Sequence, residues 1–154
     1  GCLSALAVRG LDQLTKWWVR VELMRPPRLI EVTPFFNLVY GWNRGISFGI
    51  LNNDATWNAW ALSLAALVIV GALSVWLVRT PSALVRVALA CVIGGAIGNV
   101  IDRLRFGAVF DFLDFHVAGY HWPAFNVADS AITLGAILLV FSTLTATGKK
   151  EAPR

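Results

Sequence analysis

GGAIGNVIDRLRFGAVFDFLDFHVAGYHWPAFNVAD, residues 94 to 129, leaves one long apolar stretch and enters another, and it holds four of the nine acidic residues in the chain. Asp102 ends the first stretch, Asp129 opens the second, and Asp111 and Asp114 lie in the connection. Carboxylates at the edges of hydrocarbon-length segments are costly unless they are paired or used. The fold and the chemistry both turn on which of these four work, and on what.

The surrounding composition says what kind of segments these are. Of 154 residues, 57% are hydrophobic and only 14% charged, and the mean hydropathy is +0.66. An ordinary soluble domain carries about 25% charged residues. Seven Trp fit a chain whose amphipathic rings gather at membrane interfaces. The sequence therefore reads as an integral membrane protein, a single domain over 1–154. Its net charge of +4 is better explained by topology and anionic lipid than by nucleic acid, because no basic run is clustered enough to track phosphates. Cys2 and Cys91 are far apart, so a disulfide framework is not expected, and no Cys/His spacing suggests zinc. Cys91 reads as a small buried helix residue. Cys2 follows Gly1 with no initiator Met, so the start reads as trimmed or processed. An ordinary helix residue is favoured there over a lipid-modified cysteine. Arg9, Asp12 and Lys16 break any short apolar run of the signal-peptide kind.

Four spans follow, at about 1–23, 55–78, 86–103 and 129–147. The first carries Arg9, Asp12 and Lys16 among Leu3, Leu6, Leu11 and Leu14. Asp12 and Lys16 are i, i+4 with the acid N-terminal, the better orientation for a pair, and Arg9 stands where it could share Asp12. A soluble amphipathic helix is the alternative. A span whose charged stripe faces protein is preferred, because the other spans need a partner. Ala55 to Val78 contains no charge and is long enough to cross with some tilt. Val87 to Ile101 is too short alone and must borrow Asn99 and Asp102, while Gly94, Gly95 and Gly98 allow another helix to come close. Pro26, Pro27 and Pro34 stop the first helix. Residues 29–33 and 35–40 are rich in β-branched and aromatic side chains, which predicts a small β element on the bilayer surface. The fold class expected is thus an all-α membrane bundle of four transmembrane helices with a small extramembrane β element.

Arg79, Arg86, Lys149, Lys150 and Arg154 crowd short segments on one side of such a bundle, against Glu151 alone. By the positive-inside rule both termini are cytoplasmic, and segments 24–54 and 104–128 lie outside. All four central carboxylates then sit near the outer face. No Walker loop, dinucleotide fingerprint or His-Glu-x-x-His motif interrupts this plan.

Two carboxylates brought together cannot both ionise, so the pair shares a proton. One then takes a proton from water while the other donates to a carbonyl oxygen, which hydrolyses a peptide without metal, cofactor or covalent intermediate. A Ser or Cys nucleophile would need a base, and His116 and His121 read as interface packing beside Tyr120 and Trp122. A pair is best held by two separate elements. Asp129 opens a helix, where N-terminal amides favour negative charge, and Asn126 stands where it could cap that helix or reach Asp129. Asp102, followed by Arg103, reads as an ion-paired structural group. On chemistry alone Asp111 with Asp129 ranks above Asp102 with Asp129.

Asp12-Gln-Leu-Thr-Lys16, Asn43-Arg-Gly-Ile-Ser-Phe48, Gly94-Gly-Ala-Ile-Gly-Asn-Val-Ile-Asp-Arg103, Val109-Phe-Asp-Phe112 and Phe125-Asn-Val-Ala-Asp129 run in that order along the chain. The set resembles that of bacterial lipoprotein signal peptidases (signal peptidase II), over essentially the whole length. The resemblance implies that Asp111 and Asp129 are the catalytic aspartates and that Asp114 is a bystander. It implies supporting or substrate-binding roles for Asp12, Lys16, Asn43, Asn99, Asp102, Arg103 and Asn126. It also implies an outer β-cradle and a mobile outer segment, matching 24–54 and 103–122. The implied activity is cleavage of a diacylglyceryl-modified prolipoprotein just before its lipidated Cys, in the bacterial inner membrane, by a monomer among membrane lipids. Arg9 departs from the pattern, as a charge where such a helix is normally apolar. The competing reading is a non-enzymatic protein, either a proton- or ion-conducting bundle relaying through Asp12, Asp102 and Asp129 or a scaffold. Charge-free interiors in spans two and four count against a relay.

Overall fold

The computed structural model describes residues 1–45 and 57–148. Ile46 to Phe48 of the Asn43 motif, the first two residues of the second expected span and the charged C-terminal tail lie outside the described residues. Four α-helices and one four-stranded sheet make up the rest. They are α1 (Cys2–Trp18), β1 (Ile30–Thr33), β2 (Phe36–Asn43), α2 (Trp57–Arg79), α3 (Ala83–Phe106), β3 (Val109–Val117), β4 (Tyr120–His121) and α4 (Val127–Gly148). A π-helical turn, Val19–Leu23, carries α1 on to the predicted boundary at residue 23.

α3 is the hub and packs against the other three helices. In its most apolar window 56% of residues are buried, against 11% in α2 and in α4. The glycines predicted to admit a neighbour do so. A Cβ on Gly95 would lie 2.5 Å from the Ala128 carbonyl oxygen of α4, and one on Gly98 would run into the Asp12 carboxyl group of α1. Ser82 caps the start of α3, its hydroxyl accepting from Val85 N at 3.4 Å. Gly107, with φ of 71°, ends it in the left-handed conformation that glycine adopts without a Cβ penalty. The helix therefore runs from 83 to 106, past the expected 86–103 at both ends. The polar residues it borrows, Asn99 and Asp102, are buried as the sequence required.

Among the described residues, Trp57–Arg79, Ala83–Phe106 and Val127–Thr145 are long and apolar enough to cross a membrane. Leu64, Val68, Ile137 and Val140 on α2 and α4 are more than half exposed. A surface so apolar suits lipid, and the chain is a membrane protein. α1, with 17 residues and three charges, lies outside that group of helices, and it is amphipathic the wrong way round for water. Leu3, Leu6, Leu11 and Leu14 are exposed, while Asp12 and Lys16 are buried against α3.

The sheet has the order β1-β2-β3-β4, antiparallel throughout. β1 and β2 answer to the predicted β element. β3 falls in a segment expected as an outer connection, and it is the longest strand present. Ala118 and Gly119, both at positive φ, make the tight turn into β4, a geometry matched to strand twist. Phe110 and Phe112 of β3 join Val19 and Met24 in a small core that fixes the sheet to the end of the first helix.

Candidate active site

Two connected layers of polar groups lie where α1, α3, β3 and the start of α4 converge. The inner layer centres on Lys16. Its ammonium contacts Asp12 Oδ2 at 3.0 Å, Asp102 Oδ2 at 2.9 Å and Asn99 Oδ1 at 3.0 Å, which uses all three N–H donors. Asp12 also accepts Ala128 N of α4 at 3.0 Å. Asp102 accepts Gln13 Nε2 at 3.0 Å and Phe110 N of β3 at 3.2 Å. Buried charges persist when paired and hydrogen-bonded. These ones tie three helices and a strand together.

The expected Asp102–Arg103 pair is corrected by this geometry. Residues i and i+1 on a helix do not face each other. Asp102 turns inward to Lys16, while Arg103 Nη2 donates to Gly45 O at 3.3 Å. The Nε–H of Arg103 is buried without a hydrogen-bond partner among the described residues. Arg9 is exposed, and Asp12 is served by Lys16, Gln13 and Ala128 N instead.

The outer layer contains Asp111 and Asp129. Asn126 and Asp129 form a reciprocal box at the start of α4. Asn126 Oδ1 accepts Asp129 N at 3.0 Å, and Asp129 Oδ2 accepts Asn126 N at 3.2 Å. Asp129 Oδ1 takes a second donor, Asn99 Nδ2, at 2.8 Å. The Asn126 amide then donates to Asp111 Oδ1 at 2.7 Å and to Asn99 Oδ1 at 3.3 Å. Asn43 Nδ2 supplies the other Asp111 oxygen at 3.1 Å. Burial, followed by the like charge of Asp129, pushes the Asp111 carboxyl up to about 7 against the donors Asn43 and Asn126. Asn43, Asn99, Arg103 and Asp129 border a cavity of about 280 Å³ between β2 and helices α2, α3 and α4.

Of the nine residues singled out in the sequence, eight join this one network, and Arg103 lines the cavity beside it. Asp114 lies on the other face of β3, since successive strand residues alternate. It is nonetheless occupied. Asn37 Nδ2 donates to it at 3.0 Å and His121 Nδ1 lies 2.9 Å from it, with His116 stacked on His121. Gln13, Asn37 and His121 were not assigned polar partners by sequence reasoning. Gln13 carries the one usable signal, an amide between Asp12 and Lys16 on the same turn of helix.

A family model described as Signal peptidase (SPase) II matches residues 4–145. The chain belongs to the signal peptidase II family. The lipoprotein signal peptidase of Alteromonas mediterranea is 45% identical over 151 residues, covering 97% of this chain and 82% of the relative. That of Azoarcus sp. is 49% identical over 147 residues, covering 92% and 81%. A solved bacterial membrane enzyme superposes with a TM-score of 0.85 at 32% identity, over 99% of this chain and 92% of the other. A second reaches 0.78 at 33% identity, over 92% and 90%. The motif resemblance is thus upheld by the whole chain, and the non-enzymatic alternatives lose their ground. The protein is a membrane protease of the signal peptidase II family.

Proposed function

We propose that the protein removes signal peptides from diacylglyceryl-modified prolipoproteins, cutting just before the lipidated Cys, with Asp111 and Asp129 as a water-activating pair. One observation carries this reading. One residue, Asn126, hydrogen-bonds both carboxyl groups, that of Asp111 through its side-chain amide and that of Asp129 through its backbone N–H, and one of the two has its acid strength shifted to about 7. A carboxyl in that range can hold a proton at neutral pH and release it during turnover.

Asp111 is the proton donor to the scissile carbonyl oxygen. Asp129 is the base, its charge supported by Asn99 Nδ2, Asn126 N and the N-terminus of α4. Water gives its proton to Asp129 as its oxygen bonds the carbonyl carbon, and the carbonyl oxygen takes the proton of Asp111. Collapse of the resulting diol returns a proton to Asp111 and delivers one from Asp129 to the departing amine. No metal or covalent nucleophile is needed. Asn43 and Arg103 face the peptide from the cavity wall, while Asp12, Lys16, Asn99, Asp102 and Asn126 hold the pair in place.

In this reading α1 is the fourth span. Its exposed leucines face lipid and its charges face α3. Both termini lie in the cytoplasm, the sheet lies on the outer face of the bacterial inner membrane, and the whole chain works as one domain and as a monomer. Cleavage of a diacylglyceryl-modified precursor peptide by the purified protein is the test. Asp111→Asn and Asp129→Asn should each abolish product formation and leave the far-ultraviolet circular dichroism unchanged. Near-normal turnover by either variant would overturn the assignment.

A further inference from the structure

Asp129 borders two cavities, and they differ in chemistry. The first, described above, presents the side-chain amides of Asn43 and Asn99 and the guanidinium of Arg103. The second lies on the other flank of α4, has a volume of about 490 Å³, and is walled by Thr133, Leu134 and Ile137 under a roof from Trp122 to Phe125. From Asp129 to Ile137 it follows the helix for about 12 Å, most of one leaflet of a ~30 Å hydrocarbon core. The roof is fixed. Phe125 N and O bond the backbone of Leu113 in β3, and Phe125 stacks on Phe115.

We propose that this second groove seats one acyl chain of the substrate's diacylglyceryl-cysteine, leaving the peptide to the polar cavity. The proposal rests on the prolipoprotein reading. A peptide brings a donor and an acceptor at every residue, and each must be satisfied when water is excluded. The α4 wall of the groove has little to offer them. Ser130 Oγ donates to Asn126 O at 3.0 Å, and below it Thr133 is the one polar side chain among the described residues of that wall. An acyl chain brings no such demand. Its attachment point must lie beside the scissile bond, and the groove's one charged residue is Asp129. Because lipid is as apolar as the groove, the chain is held by fit rather than by escape from water.

A lipopeptide carrying a diazirine midway along one acyl chain tests this in detergent solution. Photolysis should label Trp122, Leu134 or Ile137, and excess unmodified lipopeptide should suppress the labelling. Ile137→Trp, which fills the lower groove at an exposed position, should cut labelling and the preference for long over short acyl chains roughly tenfold. Leu134→Ala, which empties it, should leave labelling in place. Labelling on α2 or α3 instead would overturn the inference. So would equal groove labelling by a phosphatidylcholine with the same diazirine chain that the lipopeptide does not displace, since the groove would then be a seat for bilayer lipid. Turnover by the wild-type protein is read separately. Cleavage with labelling elsewhere sinks the groove alone, whereas no cleavage of the lipopeptide sinks the prolipoprotein reading itself and the proposal with it.

Discussion

The side-chain amide of Asn126 donates to Asp111 at 2.7 Å, bridging the sheet to the first turn of α4. Asn126 also caps that turn, so the residue that starts the helix is the one that aims it at β3. Helix capping and alignment of the two aspartates are therefore inseparable here. Lys16 extends the arrangement inward, because its contact with Asn99 Oδ1 turns Asn99 Nδ2 toward Asp129.

Asn126→Ala removes a cap and an oriented donor together. Loss of the cap should cost about 1 kcal/mol of stability. Loss of the donor should lower kcat by about 10²-fold, the usual effect of deleting one preorganised hydrogen bond at a reacting centre. Asn126→Ser keeps a capping oxygen but is too short to donate to Asp111. Steady-state kinetics with a lipidated precursor, alongside thermal melts, should show Asn126→Ser more stable than Asn126→Ala and as impaired as it in kcat.

The raised acid of Asp111 predicts a pH profile. In the proposed mechanism Asp111 gives up a proton that it holds below its folded value, so kcat should fall as pH rises through about 7. Asn43 donates to the ionised form and holds the value down. Asn43→Ala should therefore move the alkaline limb to higher pH while lowering its height. The stability contribution has the same sign. A folded value raised from 3.8 favours the folded state most below 3.8, and that contribution is lost as pH rises through about 7. Denaturation of Asp111→Asn across this window should show a shallower loss of stability with pH than wild type.

The parts of the fold legible in the sequence were those set by long-range composition. α2 and α4, bare of charge between their ends, could hardly be anything but membrane-length helices, and the glycines of α3 announced a close neighbour. β3 was hidden because its acids defeat the period-2 pattern. Asp111 and Asp114 are three apart, so one faces the network and the other faces Asn37 and His121. Acids are also poor strand formers, so propensity offered no correction. At the site, residue chemistry and motif order together selected side chains that the fold brings into one network. Pairing was another matter. That Asp102 belongs to Lys16 rather than to adjacent Arg103 depends on α1 docking on α3, which no local spacing encodes.

Asp114→Asn provides a contrast with the site. Asp114 faces away from Asp111, so the variant should keep most of its turnover. Burial raises its carboxyl, but hydrogen bonds from His121 and Asn37 outweigh that and hold it below the usual range. A lowered value stabilises the fold above 3.8, and that contribution is lost as pH falls through the folded value. Acid denaturation should accordingly be less steep in Asp114→Asn than in wild type. Loss of activity as deep as in Asp111→Asn would assign Asp114 to the chemistry.

Gly98→Ala should be far more damaging than its size suggests. The new Cβ would press on the Asp12 carboxyl group, which has no room to retreat between Lys16 and Ala128 N. Overpacking of this kind costs about 1–3 kcal/mol. Gly10 is the control, because nothing lies within 4 Å of a Cβ built there. Gly10→Ala should stabilise α1 by about 0.5–1 kcal/mol through helix propensity and lost unfolded-state freedom. Opposite shifts in melting temperature for the two variants would bear this out.

Lys16→Met tests whether the inner layer acts as a unit. The substitution keeps the side chain's length and apolar stem but leaves Asp12 and Asp102 buried without a counter-charge. Breaking one member of a buried ion cluster costs about 3–5 kcal/mol, much of it from the charges left behind. Asp12→Asn alone should cost less, since Lys16 retains Asp102 at 2.9 Å. In the double variant one of the stranded carboxylates is gone. Its loss of stability should fall short of the sum of the singles by about 0.5–3 kcal/mol, the range for residues in direct contact. Turnover should follow a different rule. Lys16→Met frees Asn99 to flip its amide, which withdraws a donor from Asp129, and Asp12→Asn does not repair that. Denaturant unfolding in detergent measures the first effect and lipopeptide kinetics the second. Additive stability losses would show Lys16 and Asp12 to be independent, whereas recovery of kcat in the double variant would mean that the lysine acts through Asp12 rather than through Asn99.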